Sequence, residues 1–452
     1  MPATMPNYPE PPSDGRKTKS RINLPETGHP RIVIIGAGFG GLRLARKLTK
    51  LPYQVVLLDT NNYHQFQPLF YQVAMAGLEP SSIVFPLRKL FQKRKNVFIR
   101  CTYVQRINAA GKYLQTSNGR VNFDYLVIAT GTQTNFFGNE EIARNAIPMK
   151  SVSEALFLRN AIFSDYETAL TIPDFEERQA YMDIVVVGGG PTGVEIAGSL
   201  AEMKQYVFPK DYPEIDCDEI DIYLLQSGDT LLKGMSAAAS KKAYDYLVDL
   251  GVRVEFNARV TGYDGKYVQV KDKPPIFSRK VIWGAGVTGN LPDGLPDSAR
   301  APGNRVVVND FLQTNEHPHV YAIGDIASNV SEPYPYGHPQ LAPVAMQMAD
   351  TLAANFKRQL KHQPPRPFRY HDKGSMATIG RGRAVVDLPN FKFQGFFAWL
   401  TWLVVHLVQI LGTKNKLFVF LNWAWNYVRY DQSLRLIIRP RRLSKRERET
   451  KF

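Results

Sequence analysis

Two glycine clusters, Gly36-Ala37-Gly38-Phe39-Gly40-Gly41 and Gly188-Gly189-Gly190-Pro191-Thr192-Gly193, have the residue types and spacing best suited to chemistry in this chain. In a Gly-x-Gly-x-x-Gly turn the first glycine makes the strand-to-helix reversal, and the second lets backbone approach a pyrophosphate. The third lets the helix pack on the sheet. The phosphates then sit at a helix N-terminus, where orphan N–H groups and the helix dipole favour anions. A lone match is weak, and the motif gains meaning when a strand precedes it and a helix follows. Both clusters meet that test, since each follows a β-branched run, Ile32-Val33-Ile34-Ile35 and Ile184-Val185-Val186-Val187, and opens a helix-compatible segment. The competing reading is a pair of buried parallel strands with packing glycines. Two nucleotide sites in one chain suggest two cofactors that exchange electrons.

The two sites differ at the ribose. An acidic residue is expected about 20 residues after such a turn, at the end of the next strand. After the first cluster, Gln54-Val-Val-Leu-Leu58 ends in Asp59, suited to accept from ribose hydroxyls; after the second, Ile222-Tyr-Leu-Leu225 ends in Gln226. Gln226 can still bond a hydroxyl, but it repels a 2′-phosphate less than a carboxylate would.

Composition narrows the class. A chain of 452 residues with 44% hydrophobic content suits two or three globular domains. The formal charge of +15 calls for a polyanion, either nucleic acid or an anionic membrane surface. Much of it lies in the tail, where Arg435, Arg439, Arg441, Arg442, Lys445, Arg446, Arg448 and Lys451 face only Glu447 and Glu449. Two cysteines, Cys101 and Cys217, with no Cys-x-x-Cys, argue for a reducing compartment and against a zinc site or an iron–sulfur cluster; no metal is expected. They also leave no reactive dithiol as electron acceptor.

The elements that must position these residues alternate strand and helix, which predicts an α/β chain with two Rossmann-like, doubly wound domains. Residues 1–29 read as a flexible arm without an apolar signal segment, and 30–150 as the first part of the first dinucleotide domain. Its strand Tyr125–Ala129 runs into Thr130-Gly131. Residues 151–283 form the second domain, ending in Val281-Ile-Trp and Gly284-Ala285-Gly286. The first domain resumes over 284–390 through Val320-Tyr-Ala-Ile-Gly324-Asp325, so the second is inserted in it. Residues 391–452 change character: Phe396–Leu411 is apolar, Gly412–Lys416 interrupts it, and Leu417–Val428 resumes. On a helix Phe396, Leu400, Leu403, Leu407, Ile410 and Leu411 share a face, with Thr401, His406, Gln409 and Trp402 opposite. The first run is at the short edge of what crosses a bilayer, and Trp399, Trp402, Trp423, Trp425 and Tyr427 suit the headgroup boundary. The expectation is an amphipathic hairpin in one leaflet and a C-terminal membrane anchor; a single span and a buried dimer interface are the alternatives.

The chain resembles the type II NADH dehydrogenases, single-subunit NADH:quinone oxidoreductases of the two-dinucleotide-binding flavoprotein superfamily. The resemblance rests on Asn61-Asn-Tyr-His-Gln-Phe-Gln-Pro-Leu-Phe-Tyr-Gln-Val73, Gly188-Gly-Gly-Pro-Thr-Gly-Val-Glu195, Ala322-Ile-Gly-Asp325 and Asp372-Lys-Gly-Ser-Met-Ala-Thr-Ile-Gly380. It implies FAD held by Gly36, Gly38, Phe39, Gly40, Gly41, Asp59, Gln67, Val104, Ala129, Thr130, Gly131, Gly324, Asp325 and Lys373. It implies NADH at Gly188, Gly190, Thr192, Gly193, Glu195, Gln226, Gly284, Ala285 and Gly286. A membrane quinone would meet Ala342, Pro343, Gln347 and Ile379. Where the family has Ala-Gln-x-Ala-x-Gln, this chain has Ala342-Pro-Val-Ala-Met-Gln347, so the second glutamine is kept and the first is Pro343. Proline is tolerated at the first turn of a helix, so the helix can still start there. The resemblance further implies a peripheral enzyme on the cytoplasmic face of the cell inner membrane, a lipid surface and a quinone as partners, and no nucleic acid. A homodimer is left open.

Glu195, Lys373 and Gln347 are the residues through which the resemblance implies catalysis. Asp325 is a short acceptor suited to a ribitol hydroxyl, or a helix-capping aspartate. Glu195 lies two residues past the last glycine, toward the crevice, where the family places it near the nicotinamide; alternatively it is a first-turn glutamate favoured by the helix dipole. Lys373 resembles the lysine near the flavin, where a cation stabilises the anionic reduced ring, or is a surface loop lysine. His64 reads as a satisfied structural histidine more than as a proton donor. Two rivals are another pyridine-nucleotide flavoprotein, such as a sulfide:quinone or ferredoxin reductase, and a non-enzymatic NADH-sensing protein. The first, in its sulfide-oxidising form, needs paired cysteines that this chain lacks. The second would not need two complete sites.

Overall fold

The structure, a computed structural model of the chain, describes residues 22–429 and 434–438. The expected arm up to residue 21 and the basic tail from Arg439 lie outside the described residues.

The first sheet begins with β1 (Arg31–Ile35), followed by helix α1 (Phe39–Leu48), β2 (Gln54–Asp59), the short α2 (Phe70–Ala74), β3 (Val97–Cys101) and β4 (Tyr125–Ile128). Val33, Val56 and Val127 have no exposed surface, the condition of strands covered on both faces, which is why their sequences are unbroken β-branched runs and not alternating ones. The chain then builds β5 (Ile147–Pro148), α3 (Val152–Ala169), β6 (Ile184–Val187), α4 (Pro191–Tyr206), β7 (Ile222–Leu225), α5 (Ala237–Asp249), β8 (Arg253–Glu255) and β9 (Val281–Trp283). It returns to the first sheet with β10 (Val320–Ala322).

Both sheets are parallel, five-stranded and wound the same way: β10-β4-β1-β2-β3 and β5-β9-β6-β7-β8. Each glycine turn therefore leaves a central strand, with its ribose strand on one side and its glycine-exit strand on the other. Residues Thr132–Thr134 and Val287–Gly289 pair antiparallel and carry the chain out of the first domain and back. The second sheet takes in Ile147–Pro148, which pair with Ile282–Trp283, four residues before the boundary read at 151.

After α6 (Ala342–Gln359), β11 (Ser375–Gly380), β12 (Arg383–Asp387) and β13 (Lys392–Gln394) form an antiparallel sheet that carries α7 (Phe396–Gln409) and α8 (Thr413–Arg429). This unit begins well before 391, the boundary suggested by composition. It is locked to the second domain through Gly198 of α4, where a Cβ would lie 1.7 Å from the Ile379 carbonyl oxygen. Gly412, at φ +83°, makes the turn between α7 and α8.

The helix faces differ from the expected amphipathic pattern. Trp402, assigned to the polar arc, is 1% exposed, and His406 stacks on it at 4.0 Å. Both turn toward the protein body, edge-on to Tyr71 and Phe66 respectively. Burial holds the His406 pKa down at about 4, so this arc is neutral and suits a core. Phe396 and Leu400 are exposed as the pattern required, and Phe397, Val404 and Val408 with them, whereas Leu403 and Leu407 are half-buried and Ile410 is buried. No helix among the described residues is long and apolar enough to cross a membrane.

Candidate functional site

The two glycine turns are built alike. Gly36 and Gly188 have φ +100° and +109°, and a Cβ there would lie 2.3 Å from the Ala129 oxygen and 2.8 Å from the Gly284 carbonyl carbon. Gly41 and Gly193 each pass so close that a Cβ would lie 1.9 Å from the oxygen of the first glycine. Chain geometry thus explains the outer glycines. It does not explain the middle ones. Gly38 and Gly190 start α1 and α4 at φ −69° and −77°, angles open to any residue, with no protein atom within 4 Å of where a Cβ would stand. Neither helix start has a side-chain cap. Open space against uncapped N–H groups is a cradle that a pyrophosphate could fill.

The ribose positions keep the same correspondence. Asp59 accepts from Ala37 N at 2.7 Å and from Asn61 N at 2.7 Å, and Gln226 Oε1 accepts from Gly189 N at 3.0 Å. Asp59 and Gln226 thus each brace the second residue of their own glycine turn. Gln226 Nε2 also donates to the Thr230 carbonyl at 3.0 Å, so its amide is held at both ends. Burial raises the Asp59 pKa, and the two N–H donors oppose the rise.

Most of the remaining first-site residues gather at the C-terminal ends of β4, β1, β2 and β10. Ala129 closes over Gly36, and the Thr130 hydroxyl is buried with no hydrogen-bond partner, an orphan that a bound cofactor would satisfy. Gly131 and Gly324 turn at φ +65° and +76°. Asp325 follows in a 3-10 turn and does not cap α6, whose N-cap is Leu341 with no side-chain cap. Burial raises its pKa while Lys150 and Arg305 pull it down. Phe39 opens α1 and meets His64 edge-on at 5.4 Å. His64 is buried with Nδ1 2.8 Å from the Ala37 oxygen, and burial lowers its pKa, so it braces the glycine turn as a neutral structural histidine. Gly40 faces the Ala345 oxygen and Gly324 the Ala345 Cβ, which seats the first turn of α6, including Ala342 and Pro343, against this site. Val104 is 5% exposed just beyond β3, and Gln67 is exposed in the turn before α2. This donor set fits FAD.

Around the second turn, Gly284 and Ala285 lie against Gly188, Gly286 continues at φ +85°, and Thr192 is exposed on the first turn of α4. Glu195 lies beyond that first turn, which contains no acidic residue. It is half-buried, and burial pushes its pKa up to about 8 against the Thr378 backbone N–H and the Trp402 indole. Such a carboxyl can hold and release a proton near neutral pH.

Gln347 and Lys373 are linked through backbone. The Gln347 amide donates to His371 O and accepts from His371 N, both at 2.9 Å, which anchors the segment carrying exposed Lys373. Ile379 is 1% exposed in the α4–β11 contact and presents almost no surface to a ligand. Lys150, Tyr71 and Glu202 were not singled out from sequence. Lys150 Nζ donates to the Thr132 hydroxyl at 3.0 Å beside Asp325. Glu202 follows Glu195 by seven residues, a helical spacing that could have flagged it.

Comparison with known proteins agrees with this geometry. Residues 30–349 match the pyridine nucleotide-disulphide oxidoreductase family, and residues 372–429 match the NDH2 C-terminal domain. The type II NADH:quinone oxidoreductase Ndh of Mycobacterium tuberculosis is 35% identical over 413 residues, covering 88% of each chain. The chain belongs to the type II NADH:quinone oxidoreductases. The Haemophilus influenzae type II NADH:quinone oxidoreductase is 28% identical, covering 83% of this chain and 92% of its own. In fold, the chain is similar to Plasmodium falciparum NDH2 in complex with NADH, with TM-score 0.81 at 22% identity over 91% of this chain and 100% of that one. Despite the name of the wider family, Cys101 ends β3 and Cys217 lies in the second domain, both as free thiols.

Proposed function

We propose that the two glycine turns bind FAD and NADH in sequence-matched cradles and that Glu195 stands where their reactive rings meet. The enzyme is an FAD-dependent NADH:quinone oxidoreductase that moves no ions. FAD, when bound, accepts hydride from NADH and passes two electrons to quinone. The protein's own tasks are to stack the two cofactors, exclude water and manage protons. The observation that carries this reading is the repeated cradle at Gly38 and Gly190, where open space replaces any structural need for glycine.

In this reading Asp59, Thr130 and Asp325 hold the FAD ribose and ribitol, Gln226 holds the NADH ribose, and the 371–374 segment anchored by Gln347 brings Lys373 to the quinone side. The apolar face of α7 and α8, with Phe397, Val404, Val408, Phe420, Trp425 and Val428 all more than half exposed, supports insertion into one leaflet. The quinone would enter from that leaflet, and the enzyme would work as a peripheral protein on the cytoplasmic face of the inner membrane. The same face could join two copies, and vesicle flotation against sedimentation of the lipid-free protein separates the two uses. The test of the main reading is a bound-flavin spectrum that bleaches with NADH and recovers on adding a quinone analogue. Bleaching without recovery by any quinone would overturn it.

A further inference from the structure

The overall reaction is NADH + H⁺ + quinone → NAD⁺ + quinol. NADH supplies a hydride, so one quinol proton must come from water. Trp402 of α7 is buried and lies against Glu195, which is itself only partly exposed, so a path through the protein can supply that proton. Resting on the function proposed above, we propose that Glu202 is the entry point of this path and that Tyr71 relays the proton toward Glu195.

Glu195 and Glu202 are two helical turns apart on one face of α4, about 10 Å along its axis. Beside Glu202 lies a cavity of about 130 Å³, bounded by Tyr71, Gln72, Glu202, Thr378, Arg381 and Trp423. Its lining is mostly apolar, but Tyr71, Gln72, Glu202, Thr378 and Arg381 give it one polar side, and it is large enough for a few waters. Its walls orient the hydroxyl: Trp423 Nε1 donates to Gln72 Oε1 at 2.7 Å, and Gln72 Nε2 donates to the Tyr71 hydroxyl oxygen at 2.8 Å. With its oxygen serving as acceptor for Gln72, Tyr71 keeps its own O–H as a donor near both glutamates. Glu202 Oε1 accepts from Arg381 N, and the side chain lines the cavity. Thr378 lines the same cavity and turns its backbone N–H to Glu195, so the two carboxyls share one wall.

The charges facing Glu202 are Arg381 and Arg383 from the β11–β12 side, with Tyr71 from α2, Tyr206 on α4 and Tyr427 on α8 around the cavity. Burial raises the Glu202 pKa and the two arginines restrain it. Tyr71 is held well above its ordinary value by burial and by both carboxylates, so it stays protonated and relays by taking one proton as it gives another. Glu202 thus takes a proton from water, a water in the cavity and Tyr71 pass it on, and Glu195 delivers it to the quinone oxygen. An O–H bond forms and another breaks at each stage, and no electron travels this way.

The test uses the full-length, FAD-loaded protein and stopped-flow in two stages. Glu202→Gln keeps the Oε1 acceptor for Arg381 N, and Tyr71→Phe keeps the ring. In both, bleaching by NADH should stay within about 2-fold of wild type, while re-oxidation by a soluble quinone slows about 10-fold or more, at the lower end of what a proton-transfer group contributes. A larger solvent deuterium isotope effect and partial rescue of Glu202→Gln by formate should accompany the loss, and Glu202→Asp should keep part of the rate. Unchanged re-oxidation in both variants would overturn the relay. So would a raised quinone KM at unchanged kcat, which would make the cavity a quinone subsite. Absence of quinone re-oxidation in wild type would instead overturn the function on which the relay rests.

Discussion

Alanine at the middle glycine of the first turn separates cofactor binding from folding. Gly38 has φ −69° and nothing within 4 Å of its absent Cβ, so Gly38→Ala meets no protein atom. Reduced freedom of the unfolded chain adds about 0.4–1 kcal/mol of stability. Alanine is a poorer N-cap than glycine, a cost of similar size. The apoprotein should therefore melt within a degree or two of wild type. The methyl group does enter the space proposed for the pyrophosphate, and overpacking costs about 1–3 kcal/mol, which is about 5- to 150-fold in FAD affinity. Gly36→Ala is the control with the opposite signature. At φ +100°, with a Cβ 2.3 Å from the Ala129 oxygen, it strains the turn whether or not a ligand is bound. Thermal melts of the flavin-stripped proteins and fluorescence titration with FAD read the two effects separately. The reasoning fails if Gly38→Ala destabilises the apoprotein as much as Gly36→Ala does, or if it binds FAD normally. Gly190→Ala should raise the KM for NADH and leave the flavin in place.

Other outcomes follow from the same geometry. Gln226 is neutral, and Asp229 stands nearby with no arginine in Ser227–Asp229, so wild type should oxidise NADPH measurably but less well than NADH, and Gln226→Glu should sharpen the preference mainly through KM; an unmoved ratio would remove Gln226 from the ribose site. With its pKa at about 8, Glu195 is protonated below that pH, so quinone turnover should fall as pH rises through about 8, and Glu195→Gln should lack that limb. The raised pKa also means that Glu195 favours the fold fully below 4.5 and that this contribution is lost as pH rises through about 8, so melts at pH 9 should show Glu195→Gln gaining relative to wild type. Replacing Leu400, Val404 and Val408, which are 44%, 53% and 65% exposed, with glutamine should weaken vesicle binding about 100-fold, at roughly 1 kcal/mol per half-exposed side chain, and spare bleaching by NADH; retained flotation would favour the dimer use of that face. Gln347→Ala removes both hydrogen bonds to His371 and frees the 371–374 segment, so quinone turnover should fall at least about 2- to 12-fold, the effect of one lost hydrogen bond, with flavin reduction by NADH nearly unchanged, and an equal defect in both stages would assign Gln347 to the flavin pocket.

Much of the site was legible because its parts are local. A glycine turn, the strand before it and the helix after it are contiguous, and the φ above +20° at Gly36 and Gly188 leaves little choice of residue. Asp59 and Gln226 were found at the ends of apolar runs and occupy equivalent places in the two sheets. The strands of the second sheet lie in sequence between those of the first, and Ile147–Pro148 joins the second sheet from before residue 151, where sequence placed the boundary. Composition misjudged the start of the C-terminal unit, because β11 and β12 read as ordinary strands and only their antiparallel pairing detaches them from the first domain.

By itself the sequence determined that there are two glycine turns of the dinucleotide type and that the strand after the first ends in Asp59 and the strand after the second in Gln226. These follow from steric and charge rules acting within a few residues. Only the tertiary structure decided what faces what. The α7 helix is apolar on more than one side, so its pattern could not say that Trp402 and His406 turn inward while Val404 and Val408 stay exposed. Gln347 spends its amide on His371, and Trp423 of α8 reaches Gln72, separated by 351 residues, to orient the Tyr71 hydroxyl. A hydrogen bond between distant segments leaves no trace in local spacing, because its partner is selected by packing after the sheets have formed.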